Sequence, residues 1–320
     1  MKTKILDIGK ICLEDDRFRI SYYFSLDEIV LSLRKAGLIQ PPVVSFLDNH
    51  FVLVSGWKRV IGCREISLSP LPVFLLEEKD ELKIFLLTFY ENLSIRRYKI
   101  IEKAEILKKL KKFGEEERYI VKNYMPLLEI PRTLRHLDSY IKISCLEPEI
   151  KRLINEKDMP FYSIQMLVEL DAEERLLLLP FLSPLGQNKQ KELLEGLLEV
   201  SKKEGITIKK ILNSSDITKI LNSKNLSYCQ KGDKIRLMLN RRKYPAFFSW
   251  KDSFESCKKR ISWPEEITLK PSRFFEDDEI FVRFGFKDRR QFLKRLSKLR
   301  ELADKGEFSK MIGLPYDRKK

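Results

Sequence analysis

Leu53-Val54-Ser55-Gly56-Trp57-Lys58-Arg59 is the stretch that decides the fold of the amino-terminal part of this chain. Its apolar residues end a predicted strand, and Gly56 makes a turn into a predicted helix. Backbone amides at a helix start bind anions, and Lys58 and Arg59 add positive charge to them. The stretch therefore predicts an anion site. The simpler alternative is that Gly56 only makes a tight turn.

The residues before this stretch predict a helix followed by a hairpin. Ser25-Leu26-Asp27-Glu28 has the pattern of a capping box, which predicts a helix from Leu26 to Ala36 that stops at Gly37. Strands are predicted at Val43–Leu47 and Phe51–Ser55, because apolar runs there flank a polar turn. Together these elements predict an α/β domain.

A second polar group stands at Glu91-Asn92-Leu93, after a predicted helix. A carboxylate and an amide oxygen are ligands that suit Mg²⁺ beside a phosphate. We therefore predict Glu91 and Asn92 as metal ligands. The alternative is that both residues cap the end of the helix and that the pocket is empty.

These segments, in this order, resemble the N-terminal domain of the ParB family of chromosome and plasmid partition proteins. The matching segments are Leu38–Val44 (Leu-Ile-Gln-Pro-Pro-Val-Val), Phe51–Gly56, Pro72-Val73 and Glu91–Leu93. The resemblance implies a pocket for CTP and Mg²⁺, and a CTP-gated clamp that loads on a DNA site and spreads along it.

The chain departs from the family at charged positions. The family usually has Gly-Glu-Arg-Arg-x-Arg where this chain has Trp57 in place of the glutamate and Ile61 in place of the last arginine. In the second motif Ile95 takes an arginine position, and Arg96 or Arg97 offers a compensating cation. Trp57 either stacks on a base or seals the pocket. We expect weak nucleotide binding, with poor or absent hydrolysis, because the missing charges would hold the phosphates and stabilise the transition state.

The resemblance and the residue chemistry together assign a nucleotide and phosphate site. Its predicted members are Gly56, Lys58, Arg59, Glu91, Asn92 and Arg96.

The segment after Arg97 predicts a helix with a lysine-rich face. Apolar residues recur at three- and four-residue steps from Ile100 to Phe113, and Gly114 ends the pattern. Lys108 and Lys109 are predicted to contact DNA phosphates.

A helix-turn-helix is predicted next, in a layout that also resembles ParB. A short helix at 115–124 is followed by a turn, and a helix from about 132 to 143 has Pro131 in its first turn and Leu134, Leu137 and Ile141 buried. The start of such a second helix lies in the DNA major groove. The residues predicted there are Arg132, Thr133, Arg135 and His136. The alternative is a helical bundle whose exposed face is basic.

Composition agrees with a nucleic-acid partner. The chain has 320 residues, and its 43% hydrophobic content excludes wholesale disorder. Its formal charge of +15 favours attraction to a polyanion. The five cysteines form no Cys-x-x-Cys pair, so reduced thiols are expected rather than a zinc site. No long apolar segment is visible, and we expect a cytoplasmic, nucleoid-associated protein without membrane contact.

The carboxy-terminal part predicts helices and then a small mixed module. Aromatic residues between 247 and 254 predict a packed core, and residues 279–286 alternate as a strand that precedes a helix extending to Gly306. A strand needs a partner, either in the same chain or in a second copy. We therefore predict a homodimer built on this strand and helix.

The predicted architecture has three parts. An α/β ParB-like domain spans residues 1–96, an all-α helix-turn-helix domain spans 97–245, and a small α+β module spans 246–320. The predicted function is double-stranded DNA binding in partition or transcriptional control, with a ParA-like ATPase as a partner. The alternatives are a small-molecule or protein-modifying enzyme on the fold shared with sulfiredoxin and archaeal free serine kinases, and a non-catalytic protein adaptor.

Overall fold

The computed structural model describes residues 2–271 and 279–304. The chain divides into two compact units, Met1–Leu194 and Glu195–Lys320. The division into 1–96, 97–245 and 246–320 stays a prediction. The predicted helix end at Gly306 lies outside the described residues.

The N-terminal unit contains a five-stranded sheet with the strand order β1-β5-β3-β4-β2. Its strands are β1 (Lys2–Leu6), β2 (Ile11–Cys12), β3 (Val43–Leu47), β4 (His50–Ser55) and β5 (Leu71–Leu76). β3 has the predicted bounds and pairs antiparallel with β4 and parallel with β5. The predicted hairpin is therefore present, and its second strand begins one residue early because the turn needs only Asp48 and Asn49, both with positive φ.

The helices α1 (Asp27–Ala36), α2 (Trp57–Glu65) and α3 (Glu81–Ile95) accompany the sheet. The capping box predicted for α1 is wrong. The Ser25 hydroxyl accepts from the Asp27 amide at 3.1 Å and donates to the Asp27 carboxylate at 2.6 Å, so the helix begins at Asp27 without a side-chain cap. Gly37 ends α1 with φ +70°, as predicted. One apolar core joins the sheet to α1 and α2 through Leu33, Leu53 and Val60.

The remainder of this unit is helical. Its helices are α4 (Ile100–Lys112), α5 (Glu117–Tyr119), a π-helical turn at Ile120–Tyr124, α6 (Leu134–Ser144), α7 (Pro148–Lys157), α8 (Phe161–Glu169) and α9 (Ala172–Leu182). Helix α10 (Gln187–Glu204) begins in this unit and continues past the division at Leu194. α4 is central, since α6 and α7 both pack on it. The lysine-rich face predicted for α4 is present in part: Lys108, Lys111 and Lys112 are exposed, but Lys109 is buried.

Helix α6 begins later than the sequence predicts. Thr133 is its N-cap, so Pro131 lies before the helix rather than in its first turn. The buried stripe runs through Leu137, Tyr140 and Ser144, whereas Leu134 is 52% exposed. The expectation that Leu134 belongs to the core is wrong, because the residue lies at the first helical position, outside that stripe.

The C-terminal unit has helices α11 (Ile208–Leu212), α12 (Ser215–Asn222), α13 (Tyr228–Lys243), α14 (Pro245–Arg260) and α15 (Arg289–Ala303), with strands β6 (Thr268–Pro271) and β7 (Ile280–Arg283). Phe254, Trp263 and Leu302 lie in one core, which confirms packing by part of the aromatic cluster. β7 pairs antiparallel with β6, so the predicted strand finds its partner within the chain. Among the described helices, none is both long enough and apolar enough to cross a bilayer.

Candidate anion pocket and nucleic-acid interface

A cavity of about 250 Å³ lies where β4 passes into α2, beside the carboxyl half of α3. We call it the Gly56 pocket. All six residues predicted for the nucleotide site line it, together with Gln40, Ser55, Trp57 and Thr88. The structure therefore brings together two motifs that are far apart in the sequence.

Gly56 is required at this turn by its backbone and by its surroundings. Its φ is +95°, in the left-handed region that favours glycine, and a Cβ at this position would lie 2.9 Å from the Cβ of Pro42. The turn leaves the first amides of α2 without a side-chain cap. Such amides are available to an anion.

Arg59 and Lys58 differ in how they are held. The Arg59 guanidinium donates to the carbonyl of Gln40 at 2.7 Å, and its burial lowers its pKa. Lys58 is exposed, and its ammonium lies 5.1 Å from the ring centroid of Phe24. Arg59 is thus a fixed, partly desolvated cation, while Lys58 is an exposed cation at the rim.

Glu91 and Asn92 lie on the pocket side of α3. Glu91 accepts a hydrogen bond from the Ser55 hydroxyl, and the Asn92 amide nitrogen donates to the carbonyl of Thr88 at 2.9 Å. The Thr88 hydroxyl in turn donates to the carbonyl of Val54 at 2.9 Å, which ties α3 to β4. The side-chain oxygens of Glu91 and Asn92 are the ligand atoms that this arrangement offers to a cation.

Arg96 lines the pocket but is already paired. Its guanidinium donates to both carboxylate oxygens of Glu102, at 2.7 and 3.0 Å, and to the Ser21 hydroxyl at 2.6 Å. Burial acts to raise the pKa of Glu102, but these contacts outweigh burial and lower it. An anion in the pocket would share Arg96 with a charged carboxylate.

Trp57 lines the pocket at the position where the ParB family, which the motifs resemble, has a glutamate. It is 6% exposed and packs in the sheet core, and its Nε1–H has no acceptor among the described residues. A buried donor without a partner costs free energy, and a ligand oxygen would satisfy it. Packing agrees with the sealing role predicted for Trp57.

Arg19 is a cation near this pocket that the sequence did not single out. Its guanidinium lies over the rings of Tyr22 and Trp57, at 4.7 and 4.8 Å from their centroids, and burial lowers its pKa. No motif spacing marks Arg19. The aromatic run at Tyr22, Tyr23 and Phe24 is the one local signal, because rings of this kind attract arginine.

The second candidate surface is the start of α6. Arg132, Thr133 and Arg135 are exposed, and His136 is half-buried. Within the described residues neither Arg132 nor Arg135 forms an ion pair. The exposed Leu134 lies between them and adds an apolar contact that the sequence reasoning had placed in the core.

Thr133 and His136 have structural roles as well. The Thr133 hydroxyl accepts from the His136 amide at 3.2 Å and lies 2.7 Å from His136 Nδ1. The His136 ring stacks on Phe161 of α8 at a centroid distance of 6.4 Å. These contacts fix the first turn of α6, so the arginines project from a rigid end.

Lys108 and Lys109 point to different surroundings. Lys108 is exposed on α4. The Lys109 ammonium instead donates to the carbonyl of Asp16 and lies 5.7 Å from the ring centroid of Tyr22, and burial lowers its pKa to about 8. The prediction that Lys109 contacts DNA phosphates is wrong for this conformation, because its side chain is enclosed.

Several curated proteins that share one name are similar in sequence to this chain. The probable chromosome-partitioning protein ParB of Borreliella burgdorferi is 23% identical over 175 residues, which cover 54% of this chain and 65% of that protein. The protein of the same name from Campylobacter jejuni is 25% identical over 217 residues, covering 68% of this chain and 69% of that protein. The chain thus matches just under two thirds of the length of the Borreliella relative.

Solved structures that carry the same family name match this chain with low TM-scores. A truncated ParB from Caulobacter crescentus complexed with CTP-γ-S has a TM-score of 0.28 and 17% identity, covering 56% of this chain and 97% of that one. The Caulobacter protein complexed to the centromeric parS site has a TM-score of 0.32 and 15% identity, covering 60% and 98%. No protein-family model matches the chain.

By sequence, this chain is similar to ParB partition proteins. The resemblance that the motifs indicated, to the ParB partition proteins in particular, is confirmed by the curated relatives.

Proposed function

We propose that this chain is a ParB-like partition protein that binds duplex DNA through the start of α6. The single observation that carries the proposal is the exposed start of α6, where Arg132, just before the cap, and Arg135, in the first turn, have no acidic partner among the described residues. Arginine pairs with guanine edges in the major groove, and an apolar side chain such as Leu134 suits a thymine methyl.

The surroundings of α6 support a groove-binding helix. A short helical segment at 117–124 precedes it, a nine-residue connection at 125–133 that begins with a turn separates the two, and α6 packs on α4. The exposed Lys108, Lys111 and Lys112 at the end of α4 supply phosphate contacts. The net charge of +15 favours approach to a polyanion.

DNA binding is tested by selection. The protein is mixed with sheared genomic DNA at several salt concentrations, and the retained fragments are sequenced. A shared sequence among them, with retention that falls steeply as salt rises, supports the proposal. Unselective recovery, or none near physiological salt, contradicts it.

We further propose that the Gly56 pocket binds a nucleoside triphosphate weakly, with CTP as the first candidate because a ParB structure is complexed with CTP-γ-S. The uncapped amides of α2, Lys58 and Arg59 offer positive charge to phosphates. The unpaired Trp57 Nε1–H is a further donor that a ligand oxygen would satisfy.

Glu91 and Asn92 would hold the magnesium ion of such a nucleotide. No group of three or more His, Cys, Asp or Glu side chains in the described chain is placed to hold a metal ion. Mg²⁺ suits a site of one carboxylate, one amide oxygen and the phosphates themselves, because it keeps several waters. When bound, the ion would neutralise phosphate charge, and the protein would supply Glu91 to position it.

Titration calorimetry tests the pocket. CTP, ATP, GTP and UTP are titrated with magnesium into the wild type and into Lys58→Met and Glu91→Gln variants. We expect weak heat for CTP, lost in both variants, with poor or absent turnover. Silence of the wild type for all four nucleotides contradicts the proposal, and rapid CTP turnover contradicts the expectation of poor hydrolysis.

The chemistry of Cys63 disfavours the enzyme alternative related to sulfiredoxin. Cys63 is fully buried in the sheet core, and burial raises the pKa of its thiol. A cysteine nucleophile needs access and a thiolate. A homodimer, a ParA-like ATPase partner, nucleoid association and a role in transcription stay predictions.

A further inference from the structure

A second cavity, of about 510 Å³, lies where the end of α3, the start of α4 and the turn before α6 meet. We call it the Glu129 cavity. Its charged lining residues are Arg96, Arg97, Lys103 and Glu129. None of the predicted DNA-binding residues lines it, and of the predicted nucleotide-site residues it shares Arg96.

The charges in the Glu129 cavity are unbalanced. Arg96 is paired with Glu102, which leaves Arg97 and Lys103 to share the one carboxylate of Glu129. The Arg97 Nε lies 3.6 Å from one oxygen of Glu129, and the Lys103 Nζ lies 3.9 Å from the other. Both distances exceed that of a good hydrogen bond. These pairs therefore hold Glu129 loosely.

The two cations occupy different depths. The Lys103 side chain is 14% exposed, and burial lowers its pKa against the opposing effect of Glu129. The Arg97 side chain is 88% exposed. A partly desolvated ammonium inside and an exposed guanidinium at the mouth suit an anion that carries more charge than one carboxylate.

Glu129 is held in place by a strained turn. Its φ is +56°, which a residue with a Cβ adopts at a cost. The Glu129 amide donates to the carbonyl of Pro126 at 3.0 Å, and the Ile130 amide donates to the carbonyl of Met125 at 2.9 Å. The turn ends four residues later at Thr133, the N-cap of α6.

We propose that the Glu129 cavity is a phosphate site in which the Glu129 carboxylate stands in for the ligand. A phosphate group takes its place between Arg97 and Lys103. The source is a backbone phosphate of DNA, because Glu129 lies in the turn that leads into α6. That choice of source rests on the proposed DNA binding, whereas free phosphate has the same chemistry.

Charge variants test this site in the full chain. Glu129→Gln removes the competing carboxylate, and we expect about two- to fivefold tighter binding of duplex DNA in fluorescence anisotropy. Arg97→Ala combined with Lys103→Met should flatten the slope of log affinity against log salt by about 1, the value for one phosphate contact. Glu77→Gln is the matched control, because Glu77 also pairs with a lysine, Lys2, and loses the same charge.

Thermal unfolding checks that each variant folds. If the double variant does not fold, Arg97→Ala alone replaces it, because the exposed Arg97 side chain makes few packing contacts. A second readout is the ³¹P line width of inorganic phosphate, which wild type should broaden more than Arg97→Ala.

The outcomes separate this inference from the proposed function. Wild-type DNA binding with identical affinities and salt slopes for all variants, and no selective phosphate broadening, overturns the phosphate site while DNA binding stands. If wild type binds no DNA, the proposed function fails. The ³¹P line width then decides. Broadening by wild type that is lost in Arg97→Ala supports a site for free phosphate, whereas no broadening by wild type overturns the site.

Discussion

The guanidinium of Arg19 lies over the indole of Trp57, with 4.8 Å between its central carbon and the ring centroid. Trp57 is buried against the sheet core, so the contact is shielded from solvent. Shielding strengthens the attraction between a cation and an aromatic ring. At the position where the related family has a glutamate, this chain therefore has a packing residue that also anchors a cation beside the Gly56 pocket.

Restoring the family's glutamate should damage the fold. We expect Trp57→Glu to lower the free energy of unfolding by about 3 kcal/mol or more, because it removes a large buried ring and buries a carboxylate in its place. Urea denaturation followed by circular dichroism measures the loss. Trp57→Phe is the control, which keeps a ring and should lose less. Equal stability of Trp57→Glu and wild type would show that the ring does not pack as described.

Gly56 should tolerate alanine less well than Gly114. Both have positive φ, +95° and +88°, but a Cβ on Gly56 would strike Pro42 whereas a Cβ on Gly114 meets nothing within 4 Å. Gly114→Ala should therefore cost about 1 to 2 kcal/mol of unfolding free energy from backbone strain alone. Gly56→Ala should cost more than that. Equal losses in urea denaturation would contradict the clash with Pro42.

The free energy of unfolding should fall at low pH because of Asp15 and at high pH because of His50. Burial acts to raise the pKa of Asp15, but hydrogen bonds from Arg17 and His50 outweigh it and lower that pKa to about 2. The contribution of Asp15 is therefore present above its ordinary pKa of 3.8 and is lost as the pH falls toward 2.

The pKa of His50 is raised, first by its hydrogen bond to Asp15. Its contribution is present below the ordinary value of 6.5 and is lost as the pH rises through the raised pKa. Unfolding free energies from pH 5 to 9 should show a decline in wild type that is smaller in His50→Asn. A decline of the same size in both proteins would rule out this pair as its source.

The C-terminal unit carries apolar side chains suited to a second copy. Phe281, Val282, Phe286, Leu293 and Leu296 are exposed. We predict that the full chain sediments as a dimer at micromolar concentration and that Phe281→Asp with Val282→Asp makes it monomeric. Ile5→Asp, at an exposed apolar position in the N-terminal sheet, is the control. A monomeric wild type refutes the prediction.

Local patterns predicted the hairpin and α2 well, because each depends on residues near in sequence. Apolar alternation marks β3 and β4, and Gly56 marks the start of α2. β1 and β2 were not predicted. β1 pairs with β5 and β2 pairs with β4, and no local turn pattern indicates pairing between strands so far apart in the sequence. The intrachain partner of β7, β6, was missed for the same reason.

The candidate sites show the same limit. The pocket residues of two motifs were predicted because the family resemblance joined them, but Arg19 has no motif. Periodicity on α4 could not show that α6 and α7 enclose the helix and bury Lys109. Leu134 was assigned to the core because the helix was predicted to begin at about 132, two residues before its observed start, and the cap at Thr133 depends on side-chain geometry.

Fluorescence anisotropy of a selected duplex with wild type and Arg135→Ala tests the central claim most directly. If Arg135 reads a guanine from the start of α6, Arg135→Ala should lose about 1 to 3 kcal/mol of binding free energy on the selected duplex and much less on a scrambled one. Lys108→Ala should instead weaken both duplexes alike and flatten the salt slope. Equal affinity of Arg135→Ala and wild type for the selected duplex would contradict the account.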